Sequence, residues 1–90
     1  MATLSKTFTI LNEVGIHARP ASMLVQCLLG FESEVFIEKD GKRVNGKSIM
    51  GILMLAAGRG SQILVEADGP DAQQALEAVE NLIRNKFGED

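Results

Sequence analysis

Two alternating stretches, Glu34 to Lys39 and Lys42 to Val44, meet across the dipeptide Asp40-Gly41, and no other feature of the chain constrains its fold as much. A two-residue turn between strands needs left-handed backbone at both positions, which Asp tolerates and Gly adopts freely. The two strands must therefore pair antiparallel, as neighbours in one sheet.

The rest of the chain supplies partners for that hairpin. Leu4 to Ile10 alternates apolar and polar residues, as a strand with one buried face does, and Gln62 to Ala67 predicts a fourth strand. Between them, Ala21, Leu24, Val25 and Leu28 recur at helical spacing after the loop Leu11 to Ile16, so a first helix starts at or just after His17, with Gly30 as its left-handed stop. Ser48 to Ala57 predicts a short helix capped by the serine hydroxyl and closed by Gly58. Asp68-Gly69-Pro70-Asp71 turns the chain into a last helix, where Ala72, Ala75, Leu76, Val79, Leu82 and Ile83 form the apolar stripe and Arg84 and Lys86 suit the C-terminal dipole. The order is β-α-β-β-α-β-α, an α+β arrangement. The polar faces of the strands, with Ser5, Thr7, Thr9, Glu34, Glu38, Gln62 and Glu66, predict an open-faced β-sandwich: a four-stranded antiparallel sheet with three helices on one face and solvent on the other.

Ninety residues suit a single domain, expected over 1–90, with one core and no room for a cleft between lobes. A formal charge of -3 and no cationic stripe argue against nucleic acid or an anionic membrane surface. No apolar run approaches a membrane span, and Met1 to Leu11 lacks the uninterrupted apolar core of a signal peptide, so a cytoplasmic location is expected. Cys27 is the only cysteine and sits in an apolar helical pattern, which fits a reducing compartment and a packing role.

Chemistry concentrates at His17, the only histidine, where a loop hands over to a helix in Gly15-Ile16-His17-Ala18-Arg19-Pro20-Ala21-Ser22. Neutral imidazole is a nucleophile, and its ordinary pKa of about 6.5 leaves that form plentiful near neutrality. The amides of Ala18 and Arg19 have no intrahelical acceptor and can face an anion on the ring, while Arg19 adds a fixed positive charge. Pro20 is tolerated because a first-turn amide is not needed there, and it marks the turn. No second histidine or metal-ligand cluster accompanies His17, so a free-standing hydrolase, a metal site and an organic cofactor are not implied.

Gly41 to Ser48 reads G-K-R-V-N-G-K-S and matches a nucleotide-binding P-loop by letters alone. That motif must leave a buried parallel strand and enter a long helix, whereas Gly41 serves a hairpin and the following helix is short. Helix two is apolar nearly all round: Ile52, Leu55 and Ala56 can face the core, which leaves Ile49, Met50 and Leu53 for a partner surface.

The signature from Gly15 to Ser22, together with Asn12, Gly46-Lys47-Ser48-Ile49-Met50-Gly51, Gly58, Gly60 and the strand Ile63-Leu64-Val65, resembles the HPr family, the histidine-containing phosphocarriers of the bacterial phosphoenolpyruvate-dependent sugar phosphotransferase system. The resemblance covers nearly the whole chain and implies the open-faced fold. It further implies that Nδ1 of His17 takes a phosphoryl group from phosphorylated enzyme I and passes it to an enzyme IIA domain, so that the protein is a stoichiometric carrier and not an enzyme. Arg19 would balance the phosphate charge, the amides of Ala18 and Arg19 would donate to it, and Asn12 would shape the site by hydrogen bonding. Ile49, Met50 and Leu53 would join His17 and Arg19 in docking partners. Ser48 would be a regulatory phosphorylation site for an HPr kinase/phosphorylase, where a charge near -2 would hinder docking.

Gln26 and Leu29 stand where many relatives carry lysines, a departure that predicts slower electrostatic steering or different partners. Two alternatives lie inside the family: a carrier of the nitrogen-related phosphotransfer branch, suggested by Phe87-Gly88-Glu89-Asp90, and a regulatory paralogue, against which the presence of His17 argues. An RNA-binding module is disfavoured by the acidic charge and by a sheet expected to lack exposed aromatic residues.

Overall fold

The computed structural model describes residues 3–89. Strands β1 (Thr3–Thr9), β2 (Glu34–Lys39), β3 (Lys42–Asn45) and β4 (Gln62–Asp68) form one sheet in the order β1-β4-β2-β3, with every neighbouring pair antiparallel. Helices α1 (Ala18–Leu28), α2 (Ile49–Met54) and α3 (Ala72–Arg84) cover one face, and a short 3₁₀ turn, Lys86–Gly88, follows α3. The predicted open-faced arrangement, its element order and its antiparallel sheet are all present, with strand ends displaced by one residue.

Register explains why a single face is buried. Ile37 lies opposite Val65 on one side and Val44 on the other, Val35 pairs with Ala67, and Phe8 pairs with Ile63. Because side chains alternate, these rows point together toward the helices, where Leu24, Leu28, Ile52, Val79 and Ile83 complete the core. Asp40 and Gly41 both adopt left-handed backbone, with φ of 52° and 82°, as the hairpin requires. The P-loop reading fails here, since Gly41 turns β2 into β3 and the helix after Ser48 spans six residues.

The opposite face is polar but not uniformly so. Phe36 and Leu64 sit half-buried on it, and the Arg43 guanidinium lies 4.3 Å from the centre of the Phe36 ring while pairing with Glu66 at 2.5 Å. Arg43 covers this half-buried ring, so the face presents no exposed aromatic for a base to stack on, in line with the sequence reading.

Two expected helix stops differ. Gly30 is not left-handed; α1 ends through Leu29 in right-handed geometry, with the Gly30 amide donating to the Cys27 carbonyl. Helix α2 closes through Ala56 at φ 51°, and Gly58 takes no such role. Ala56 is therefore exposed, not core, and the reversal instead buries Ala57, whose carbonyl accepts from the Ile16 amide at 2.8 Å. That one bond fastens the α2 exit to the loop that ends at His17.

Candidate functional site

His17 is the N-cap of α1, with extended backbone at φ -98° and ψ -163° and a side chain that leaves about 40% of its surface open. Its carbonyl accepts from the Ala21 amide and starts the helix. The Ala18 and Arg19 amides have no backbone acceptor among the described residues, and Pro20 offers none to lose and packs into the core side of the turn. Arg19 is exposed and makes no ion pair among the described residues, and its charge is felt at Glu89, the partner of the His17 ring.

The loop before His17 is held by close backbone packing. Gly15 has φ 81°, and a Cβ there would lie 2.6 Å from the Ala57 carbonyl oxygen and 2.7 Å from Gly58 Cα. Only glycine lets the two loops approach this far. Asn12 is fully buried; its Nδ2 donates to the Gly15 carbonyl at 2.7 Å and to Glu89 Oε1 at 2.9 Å, while Oδ1 is buried without a partner among the described residues. Both Nδ2 partners are acceptors, which fixes the orientation of the amide.

Glu89 is the residue that sequence reasoning missed. Its Oε2 lies 2.8 Å from His17 Nε2 across a separation of 72 residues, while Nδ1 has no hydrogen-bond partner among the described residues. Donation by Asn12 foremost, then by the His17 ring, together with the positive charge of Arg19, holds the Glu89 carboxyl below the usual carboxylate range, against a desolvation that pushes it up. It is an anion at neutral pH. The segment Phe87-Gly88-Glu89-Asp90 stood out in the sequence only as a resemblance to another branch of the family, which gave no pointer to His17.

The structure thus brings Asn12, His17, Arg19 and Glu89 to one end of the sheet, beside the amides of Ala18 and Arg19. Among the described residues no three His, Cys, Asp or Glu side chains gather as metal ligands. No helix of the described residues is long and apolar enough to cross a membrane.

Ser48 caps α2 as expected: its Oγ accepts from the Gly51 amide at 3.0 Å. Ile49 and Met50 are exposed, Met50 by 70%, but Leu53 is corrected; it is partly buried and packed against the core. Met54, exposed by 61%, takes its place on the outer face, one helical turn after Met50. Gln26 and Leu29 are both exposed on α1, where neither brings a charge.

Comparisons with known proteins agree on the family. Residues 4–85 match the family model of the PTS HPr component phosphorylation site. The phosphocarrier protein HPr of Cupriavidus necator is 48% identical over 96% of this chain and 97% of its own, and that of Treponema pallidum is 47% identical over 94% and 97%. Among solved structures, HPr of Thermoanaerobacter tengcongensis superposes with a TM-score of 0.93 at 44% identity, covering 97% of this chain and 98% of that one.

Proposed function

The chain belongs to the HPr family of phosphotransferase-system phosphocarriers, and we propose from that premise that it accepts a phosphoryl group from phosphorylated enzyme I on Nδ1 of His17 and delivers it to an enzyme IIA domain during sugar uptake. The observation that carries the reading is the half-exposed imidazole at the mouth of the eleven-residue helix α1, with Nδ1 unbonded and two free amides beside it.

The chemistry needs few groups because phosphoryl transfer depends on positioning and charge stabilisation. The Nδ1 lone pair forms the bond to phosphorus as the bond to the donor's leaving atom breaks. The amides of Ala18 and Arg19 and the dipole of α1 face the arriving oxygens; a helix start contributes about 0.3–1 kcal/mol for an anion. Arg19 supplies the balancing charge. An open site also lets the group leave again, which a carrier requires and a turnover enzyme does not. Asn12 and Pro20 shape this site, one by bracing the loop before His17 and the other by setting the first turn of α1.

The exposed strip of Ile49, Met50 and Met54 is the docking surface for both partners, in the cytoplasm where they meet the carrier. Phosphorylation of Ser48 by an HPr kinase/phosphorylase would set a charge near -2 at the start of that strip and oppose docking. The sugar branch is favoured over the nitrogen-related one by the Gly46-to-Gly51 segment around Ser48. Transfer assays with enzyme I from each branch, followed by a cognate IIA domain, test this: fast uptake from the sugar-branch donor and onward transfer support it, and uptake from the nitrogen-branch donor alone refutes it.

A further inference from the structure

We propose that Glu89 is a positioning residue of the carrier, its carboxylate retaining the Nε2 proton of His17 throughout the phosphorylation cycle and so keeping the Nδ1 lone pair turned toward the phosphoryl donor. The inference deepens the reading of His17 as the phosphorylated residue and rests on it.

The geometry is built for this. The His17 Nε2 to Glu89 Oε2 distance is 2.8 Å, and a carboxylate can only accept, so the ring nitrogen must carry the proton. Glu89 is in turn held by the buried Asn12 amide at 2.9 Å, which shares its donor group with the Gly15 carbonyl. The carboxylate is more enclosed than the ring it holds, 18% open against 40%.

The backbone around Glu89 adds an independent observation. Lys86, Phe87 and Gly88 all have left-handed φ, at 54°, 54° and 74°, and two of these are not glycine. Such a run is unfavourable unless its surroundings impose it. Phe87 imposes it here, being fully buried in the core, and the amides of Gly88 and Glu89 donate to the carbonyls of Asn85 and Lys86. Phe87 thus anchors a clasp whose last side chain reaches back to the helix mouth. The charged groups at the ring are Glu89 from this clasp and Arg19 from α1.

Proton and electron placement follow. Neutral His17 with hydrogen on Nε2 uses its Nδ1 pair to form the nitrogen–phosphorus bond, and the pair of the broken bond leaves with the donor. The phosphorylated ring, still bearing Nε2–H, carries a positive charge that the Glu89 carboxylate offsets. When the group moves on, the pair of the Nδ1–phosphorus bond returns to Nδ1 and the ring is neutral again. The Nε2 proton never has to leave.

The test is the tautomer. Nitrogen NMR of histidine-labelled protein at about pH 8.5, above the ordinary imidazole titration, should show the Nε2–H form alone in the wild type. In Glu89→Ala an Nδ1–H population should appear, and phosphoryl uptake should slow by about tenfold, the scale of one charge-assisted bond at a partly open site. Glu89→Gln, which keeps an oxygen acceptor without the charge, should fall between the two and settles the matter should alanine loosen the clasp. Unchanged tautomer proportions in both variants would overturn the proposal, as would altered proportions with a wild-type uptake rate. The tautomer readout needs no phosphorylation, so a wild-type protein that takes up no phosphate would strike the carrier reading separately.

Discussion

Replacing Gly15 by alanine should destabilise the protein well beyond the usual cost of a left-handed alanine, because two loops meet at this atom. At φ 81° an L side chain is strained by about 1–2 kcal/mol. The added Cβ would also sit 2.6 Å from the Ala57 oxygen and 2.7 Å from Gly58 Cα, both backbone, so no side chain can swing aside. Overpacking of this kind costs roughly 1–3 kcal/mol. The sum, about 2–5 kcal/mol, corresponds to roughly 8–40 °C in thermal midpoint for a domain of this size. Gly60 is the internal control: its φ is 85°, yet nothing lies within 4 Å of its missing Cβ. Gly60→Ala should therefore lose only the backbone strain, about 1–2 kcal/mol and roughly 4–16 °C, and at equal strain should melt above Gly15→Ala. Circular dichroism melts of the two variants measure the difference. Equal midpoints would refute the claim that close approach, and not backbone preference, demands glycine before His17.

Two further outcomes are expected. Asp71 accepts from the Glu32 amide, the Ser33 amide and the Ser33 hydroxyl, and donation by Ser33 Oγ first and by the Glu32 amide next holds its carboxyl below the usual range. The unfolded chain then binds the proton first as pH falls, so this stability is full above the ordinary carboxylate pKa near 3.9 and is lost as pH drops through the lower folded value; Asp71→Asn should flatten the acid limb of a stability–pH curve, leaving the slope due to Glu80 and Glu89, which are lowered likewise. An Asp71→Asn variant with an acid limb as steep as wild type would contradict the assignment. Met50→Asp places a charge on an exposed apolar residue and should slow phosphoryl transfer from enzyme I by about tenfold while leaving the melting midpoint near wild type, since Met50 supports no core contact; unchanged transfer would remove the strip around α2 from the docking surface.

Where local chemistry decides, the chain is easy to read. Alternation in Val35 and Ile37 and in Ile63, Val65 and Ala67 fixes both strands and their buried face, and Asp40-Gly41 fixes how two of them pair. The helix-start positions of His17 and Ser48 were legible for the same reason, each being set within one helical turn. Distant packing hid the rest. Leu53 was placed on the wrong face because α2 is only six residues long and its apolar surround gives no contrast; the pair Met50 and Met54, four residues apart, was the better signal. The end of α2 was misassigned to Gly58 because glycine is the common left-handed residue, whereas the need to deliver the Ala57 carbonyl to Ile16 forces Ala56 into that role. Glu89 could not be found at all, since its meeting with His17 depends on Phe87 filling a core assembled from every other element.

The central claim is that His17 carries the phosphoryl group. Incubation with phosphoenolpyruvate and enzyme I, followed by mass spectrometry under conditions that preserve acid-labile phosphate, tests it directly. The account predicts one modified peptide, containing His17, and no modification in His17→Ala. Acid-labile phosphate on the alanine variant, or onward transfer by it, would contradict the account.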